Sequence, residues 1–215
     1  MKKIVDITFD LETCSLASNA AIMQIAAIAW DRHAQDAESL FPKDLFSFEC
    51  KIDLTSCWLD GFDFSESTQK WWGERPESLR EQMKGGDHYF LKEGLESFLS
   101  WLDMIIHDTE ADEVILWAQG SDFDISVLRT ALNRYDLKLP LGFHNFRDAR
   151  TFIAEIGAKY FLGDANITDG LADHRRIYEA MPPYPEADNS HSADYDARRT
   201  SWGLWQCFSM LPDSE

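Results

Sequence analysis

The sequence predicts an α/β domain with a mixed five-stranded sheet flanked by helices. Its N-terminal quarter contains three apolar, β-prone runs, and the remainder alternates between helical and strand-like patterns. With 215 residues, 45% of them hydrophobic, the chain is long enough to bury a substantial core. We therefore expect one domain that spans residues 1–215.

Strands are predicted where apolar residues run together or alternate with polar ones. The first covers residues 3–13, the second is centred on residues 25–30, and the third covers residues 46–52. These three could form an antiparallel meander. Two short strands follow, at residues 114–117 and around residues 143–146.

Helices are predicted where apolar residues recur at a helical period or where a start signal is present. Pro76 stands in the favoured first turn of one helix, and Ser121 or Asp122 is a candidate N-cap of another. The predicted helices cover residues 67–72, a segment from 76, 91–106, 121–135, 147 to about 156, 172–180 and 191–211.

Acidic residues dominate the charge of the chain. There are 38 Asp and Glu against 20 Lys and Arg, which gives a net charge of -18. A long footprint on duplex nucleic acid is disfavoured, because such affinity comes from many Lys and Arg contacts to phosphate. An enzyme that holds only a few nucleotides at a chain end is compatible with this charge, since bound metal ions reverse the local field.

The sequence also favours a cytoplasmic location. The four cysteines, at positions 14, 50, 57 and 207, show no CxxC pairing and are expected to be free thiols. The N-terminal residues lack the apolar core of a signal peptide, and no run approaches the roughly 18 apolar residues of a membrane span. We therefore expect no membrane partner.

Two carboxylates, Asp10 and Glu12, end the first predicted strand. Because residues i and i+2 of a strand point to the same side, both can reach one ion. Two carboxylates at the buried end of a strand are costly unless positive charge lies between them. A divalent cation with oxygen ligands would supply that charge.

Two further acidic patterns occur at predicted helix starts. Asp122 and Asp124 lie in the first turn of the helix after the fourth strand, where an Asp often serves only to stabilise the helix N-terminus. His191 and Asp196 open the last predicted helix, and their alternative interpretation is a solvated, acid-rich helix start. With His191 at the boundary between loop and helix, both side chains can approach one site.

In order and context, the three patterns together resemble the DEDDh 3'-5' exonucleases, a family that includes RNase T, oligoribonuclease and the proofreading subunit of bacterial replicative polymerase. The stretches that carry the resemblance are Phe9-Asp10-Leu11-Glu12-Thr13, Phe123-Asp124 with Leu128 following, and His191 to Ala197. The resemblance implies a ribonuclease H-like fold and a 3'-5' exonuclease domain.

Within that family, the chain looks most similar to the phage and prophage branch. The stretches concerned are Trp71-Trp72, Gly120-Ser-Asp-Phe-Asp124 and Arg147-Asp-Ala-Arg-Thr151. One position departs from the pattern, because many relatives have Asn four residues before the middle Asp and this chain has Gly120. The ligand here is therefore Asp122 or Asp124, and the Phe-Asp pair favours Asp124.

The resemblance implies hydrolysis of phosphodiester bonds from the 3' end of DNA or RNA, with release of nucleoside 5'-monophosphates. Two Mg2+ or Mn2+ ions would be bound by four carboxylates, those of Asp10, Glu12, Asp124 and Asp196. His191 would be the general base, because imidazole titrates near neutrality and can take the proton of the attacking water.

The resemblance also indicates the residues that meet the substrate. Leu11 and Thr13 would line the terminal nucleotide, and Arg150 would meet phosphate. Trp72 and its neighbour Trp71 could stack on bases or pack in the core, since both roles suit an aromatic ring. The 3' end could be single-stranded or duplex, a homodimer is compatible with the family, and the choices between DNA and RNA and between Mg2+ and Mn2+ stay open.

Two other functions are compatible with the sequence. The chain could be a non-catalytic or weakly active member of the same fold that binds nucleic acid or a partner, although all five key residues are present. It could also be an unrelated acidic interaction protein, which only the net charge of -18 favours.

Overall fold

The computed structural model of the chain describes residues 3–41, 46–163 and 170–212, except for the side chains of residues 170–174. Within these ranges a mixed sheet of six strands has the order β4-β3-β2-β1-β5-β6. The strands are β1 (Ile4–Thr13), β2 (Ile22–Trp30), β3 (Ser47–Ile52), β4 (His88–Tyr89), β5 (Glu113–Ala118) and β6 (Phe146–Asp148). The fold class predicted from the sequence is confirmed.

Helices precede, connect and follow these strands. They are α1 (Ala37–Leu40), α2 (Leu54–Leu59), α3 (Glu66–Gly73), α4 (Glu77–Lys84), α5 (Leu91–Thr109), α6 (Ser121–Arg134), α7 (Ala149–Gly157), α8 (Gly170–Ala180) and α9 (Ala193–Ser209). A 3-10 helix covers Phe143–Asn145, and a π-helical turn covers Ala158–Leu162. No helix in the described part of the chain has both the length and the apolar character needed to cross a membrane.

The predicted antiparallel meander of β1, β2 and β3 is confirmed. The predicted count of five strands is wrong by one, because the two-residue β4 pairs parallel with β3 at the sheet edge. The strand predicted around residues 143–146 begins only at Phe146. Asn145 explains the shift, since its side chain accepts from the Gly142 N–H at 2.9 Å and donates to the Val114 carbonyl at 2.7 Å, which closes a turn there.

Three predicted helix starts also need correction. Neither Ser121 nor Asp122 caps α6, because the N-cap is Gly120 with a positive φ of 101° and the Ser121 N–H donates to Asp148 instead. The last helix begins at Ala193 rather than at His191, whose own φ is 72°. α4 begins one residue after Pro76.

The two faces of β1 differ in chemistry. Its apolar residues belong to a core on the α5 side, which contains Ile7, Phe9, Leu11, Phe98 and Leu102. The opposite face lies on the side of a second core, which is formed with α7 and α9 and contains Trp117, Ile153 and Leu204. On this side β1 places four polar residues in one row, namely Asp6, Thr8, Asp10 and Glu12.

Part of this polar row is satisfied by protein groups. Asp6 is 0% exposed and receives two hydrogen bonds from the guanidinium of Arg32, at 2.7 and 2.6 Å, and one from the indole of Trp117 at 2.7 Å. The Trp30 indole donates to the hydroxyl of Thr8 at 2.9 Å. Burial of a carboxylate is tolerated here because every donor that it needs is supplied.

Replacing Arg32 should destabilise the fold strongly. Arg32→Ala would leave the carboxylate of Asp6 buried without its charge partner, so we expect a loss of about 3 kcal/mol in the free energy of unfolding. Urea denaturation measures this loss. Lys92→Ala is the matched control, because Lys92 pairs with Glu96 on an exposed helix face and should change stability by only about 0.5 kcal/mol. Equal effects of the two substitutions would contradict the assignment.

Candidate active site

Asp10 and Glu12 continue the polar row of β1 beyond Asp6. Glu12 is buried and Asp10 is partly buried. Within the described ranges, no Lys or Arg forms an ion pair with either carboxylate. The row therefore changes from a carboxylate that is ion-paired, at Asp6, to two that have no ion pair with a described Lys or Arg.

Asp124 reaches the same site because β5 ends early. β5 pairs with β1 only as far as Thr8, opposite Trp117. The chain then turns at Gly120 into α6, whose first turn carries Asp124, 4% exposed, next to the free edge of β1. The Leu11 backbone N–H, which lies between the two β1 carboxylates in sequence, donates to Asp124. Asp122 is exposed, so the structure brings Asp124 to the site and leaves Asp122 outside it.

His191 and Asp196 approach the same place from the start of α9. The His191 N–H donates to Oδ2 of Asp196 at 2.7 Å, which joins the loop to the first turn of the helix. One potential ligand atom each of Glu12, His191 and Asp196 lies within 4.8 Å of the others. His191 and Asp196, which are five residues apart in sequence, therefore lie close together and close to Glu12.

Gln24 is a residue of this region that the sequence analysis did not identify. It lies on β2 opposite Glu12, is 0% exposed, and accepts a hydrogen bond from the Ala193 N–H at 3.0 Å. Its amide donates to Glu49 at 2.7 Å. Gln24 thus fixes the N-terminus of α9 against the sheet. The signal in the sequence is a single Gln within the apolar run of residues 20–30.

Burial raises the pKa values of all four carboxyl groups. Burial, followed by repulsion from Asp124, Glu12 and Asp196, raises the pKa of Asp10 well above its usual range. Burial, followed by repulsion from Asp196 and Asp124, raises the pKa of Glu12 to about 8. Burial raises the pKa of Asp196 and takes that of Asp124 to about 7, although the Leu11 N–H and Arg150 oppose the second shift. The site therefore has a deficit of positive charge.

The chemistry of the donors indicates which ions suit the site. Four carboxylates provide oxygen ligands only, and such ligands suit hard divalent cations such as Mg2+ and Mn2+. A cation among them would stabilise the ionised carboxylates and so oppose the burial, and at Asp10 and Glu12 also the repulsion, that raises their pKa values. Asp10, Glu12, Asp124 and Asp196 thus fit a divalent metal site.

A cleft beside Glu12 contains most of the predicted substrate residues. Its volume is about 380 Å³, and it is lined by Leu11, Glu12, Thr13, Leu16, Ser67, Thr68, Trp71, Trp72 and Phe123. Trp72 is mostly buried, and its indole donates to the Thr13 carbonyl at 3.0 Å, so it also has a structural role. The Thr13 hydroxyl is engaged with the Ser15 carbonyl at 2.8 Å.

Arg150 lies outside this cleft. Its guanidinium packs beside Gly120 and donates to the Gln119 carbonyl at 3.3 Å. It is exposed and close enough to Asp124 to lower the pKa of that carboxyl. Arg150 therefore stands at the edge of the carboxylate cluster, on the side of α6.

The fold and the acidic site together indicate a nuclease, and a comparison with known families supports this class. The model of one family, described as the Rv2179c-like 3'-5' exoribonuclease domain, matches residues 5–204. The chain belongs to this family, and membership supports a 3'-5' exonuclease activity, which is a hydrolytic activity.

Two solved structures share the fold. One is cell-death related nuclease 4 (CRN-4), with a TM-score of 0.62, 15% identity, and coverage of 96% of this chain and 64% of that chain. The chain therefore spans less than two thirds of that nuclease. The other is the nuclease domain of 3'hExo, a DEDDh family member bound to rAMP, with a TM-score of 0.62, 12% identity, and coverage of 96% and 92%. No curated protein sequence matches the chain.

These findings support the resemblance to the DEDDh exonucleases. They do not address the phage and prophage branch, which stays a prediction. The roles of the individual site residues also stay predictions, although the structure brings Asp10, Glu12, Asp124, His191 and Asp196 together.

Metal-free protein should lose stability as the pH rises. Glu12 and Asp124 have pKa values raised to about 8 and about 7 in the folded state, from 4.5 and 3.8. The folded state thus binds more protons than the unfolded state between those values, so the free energy of unfolding falls as the groups ionise. From about pH 5 to about pH 8, wild type should lose about 2 kcal/mol more than Glu12→Gln, whose side chain cannot ionise.

Chemical denaturation in the presence of a chelator measures this difference. Asp122→Asn is the control, because its exposed side chain should leave the pH dependence of wild type unchanged. Added Mn2+ should raise the melting temperature more at the higher pH, where the ligands are ionised. If Glu12→Gln showed the same pH dependence as wild type, Glu12 would not be a repelled carboxylate of this cluster.

Proposed function

We propose that the protein is a metal-dependent 3'-5' exoribonuclease that removes nucleoside 5'-monophosphates from the 3' end of RNA. The observation that carries this proposal is the convergence beside one imidazole of four carboxylates, none of which forms an ion pair with a described Lys or Arg. The description of the family and the ribonucleotide bound to 3'hExo support RNA as the substrate.

The proposed chemistry follows from the charge of a phosphodiester. Its transition state is anionic, so positive charge is needed at the reacting oxygens. Asp10, Glu12, Asp124 and Asp196 would hold two divalent cations, Mg2+ or Mn2+, which when bound supply that charge. These ligands come from three separate elements, β1, α6 and α9, and would surround the scissile phosphate.

His191 would act as the general base. Its ring lies near the oxygens of Glu12 and Asp196, the place where an attacking water would lose its proton. Its backbone bond to Asp196 keeps the ring near the ligands. Histidine is the side chain most often used for such a proton transfer.

The terminal nucleotide would occupy the cleft beside Glu12. Leu11 and Thr13 form one wall and the Trp rings another, so a base and its sugar would contact mostly apolar and neutral groups. Arg150 would meet phosphate near Asp124. Few cationic contacts are required for such a short footprint, which reconciles a net charge of -18 with a nucleic-acid substrate. The cytoplasmic location, the single domain and a homodimer stay predictions.

A 5'-labelled oligonucleotide tests the activity. We expect stepwise shortening of single-stranded RNA from the 3' end with Mg2+ or Mn2+, and slower shortening of matched single-stranded and duplex DNA. A chelator should stop the reaction. A protein that binds RNA but does not shorten it under any of these conditions would be a non-catalytic member of the fold.

Alanine substitutions test the assigned roles. Asp10→Ala and Asp124→Ala should reduce the rate by about 10³-fold or more, because each removes a metal ligand. His191→Ala should reduce it by about 10²-fold through loss of the base while Mn2+ still binds. Asp122→Ala is the matched control on α6 and should stay near the wild-type rate. A large loss in Asp122→Ala together with an active Asp124→Ala would reverse the ligand assignment.

A further inference from the structure

The loop before α9 holds His191 in an unfavourable backbone conformation. Its φ of 72° lies in the left-handed region, which residues other than Gly adopt rarely and at some cost in free energy. The neighbouring loop residues 185–188 are exposed. Contacts from other elements must therefore keep the His191 ring in place.

Gln82 on α4 supplies two such contacts. Its Oε1 accepts from Nδ2 of Asn189 at 3.1 Å, and its Nε2 donates to Oγ of Ser192 at 3.4 Å. These partners lie 107 and 110 residues away in sequence, on either side of His191. One amide thus bridges the loop across the residue that would be the base.

The segment that carries Gln82 is itself anchored. The ammonium group of Lys51 donates to the carbonyls of Gln82 and Gly85, at 2.5 and 2.9 Å, and so fixes the end of α4 to β3. α3 and α4 also share a small apolar cluster, formed by Trp72, Leu79 and Met83. The amide of Gln82 is therefore presented from a fixed helix rather than from a free surface.

A further contact, from the preceding helix α3, supports the ring of His191. The Trp71 indole on α3 packs against the imidazole, with ring centroids 4.7 Å apart and planes at 84°. The guanidinium of Arg75 lies 4.2 Å from the centroid of that indole. Trp71 also lines the cleft beside Glu12. The α3–α4 segment thus contacts both the loop backbone and the ring of His191.

We propose that Gln82 is a positioning residue that holds the loop of His191 in the orientation needed for proton transfer. The inference rests on the proposed exonuclease function. Gln82 touches neither the carboxylates nor the cleft, so its loss should lower the fraction of molecules with a correctly placed imidazole and leave metal and RNA binding intact. Displacements of about 1 Å at a reacting group can cost up to about 10²-fold in rate.

The test is Gln82→Ala, with Ser78→Ala as the matched control, because Ser78 is exposed on the same helix. We expect kcat to fall about 10-fold in Gln82→Ala, with unchanged KM for RNA and unchanged Mn2+ affinity. Ser78→Ala should behave as wild type. In the His191→Ala background, Gln82→Ala should have no further effect, because the group that it positions is gone.

A readout that does not depend on turnover is the NMR signal of the His191 imidazole, assigned with His191→Ala. It should shift or broaden in Gln82→Ala and not in Ser78→Ala. The inference would be overturned if Gln82→Ala lowered kcat further in the His191→Ala background. A change confined to KM or to Mn2+ affinity, or an unchanged imidazole signal, would also overturn it. A wild type that does not shorten RNA would refute the proposed function, and the imidazole signal would then decide the positioning role by itself.

Discussion

The burial of a polar row on one face of β1 is the constraint on which the rest of the structure depends. At Asp6, Arg32 neutralises the carboxylate from within the protein, and the Trp117 indole donates a further hydrogen bond to it. At Asp10 and Glu12 no described side chain does so, and the pKa values of both carboxyls rise. The strand thus carries an ion-paired carboxylate at Asp6 and two carboxylates without an ion pair at Asp10 and Glu12. Such an arrangement is expected of a site that binds a cation.

The neighbouring elements are arranged around that unsatisfied end. β5 stops pairing with β1 at Thr8, and the edge that it leaves is taken by α6 and Asp124. On the other side, Gln24 holds the start of α9 through the Ala193 N–H. Two helix N-termini therefore lie near the carboxylates. The fold tolerates this buried acidic cluster because the carboxylates are attached to elements that pack in extensive apolar cores.

The parts of this site that could be predicted are those with a local signal. Strand alternation places Asp10 and Glu12 on one side of β1, whereas Asp124, His191 and Asp196 are expected in the site because the three patterns together resemble the DEDDh exonucleases. The two-residue β4 and the cap at Gly120 could not be predicted, since the first is too short to show a period and the second depends on Asp148 binding the Ser121 N–H. Gln82 had no signal, because its partners are more than a hundred residues away.

The separate apolar cluster of α3 and α4 has a consequence for how such a protein can diversify. Trp72, Leu79 and Met83 pack mainly with each other and with Met23 and Trp71, apart from the two large cores. Substitutions in this segment can therefore reshape one wall of the cleft while the framework that carries the carboxylates keeps its stability. The same segment contacts the loop of His191 through Gln82 and the imidazole through Trp71. A change in this segment that alters the cleft can therefore also alter the placement of the proposed general base, so selection on substrate choice and selection on rate would act on overlapping residues.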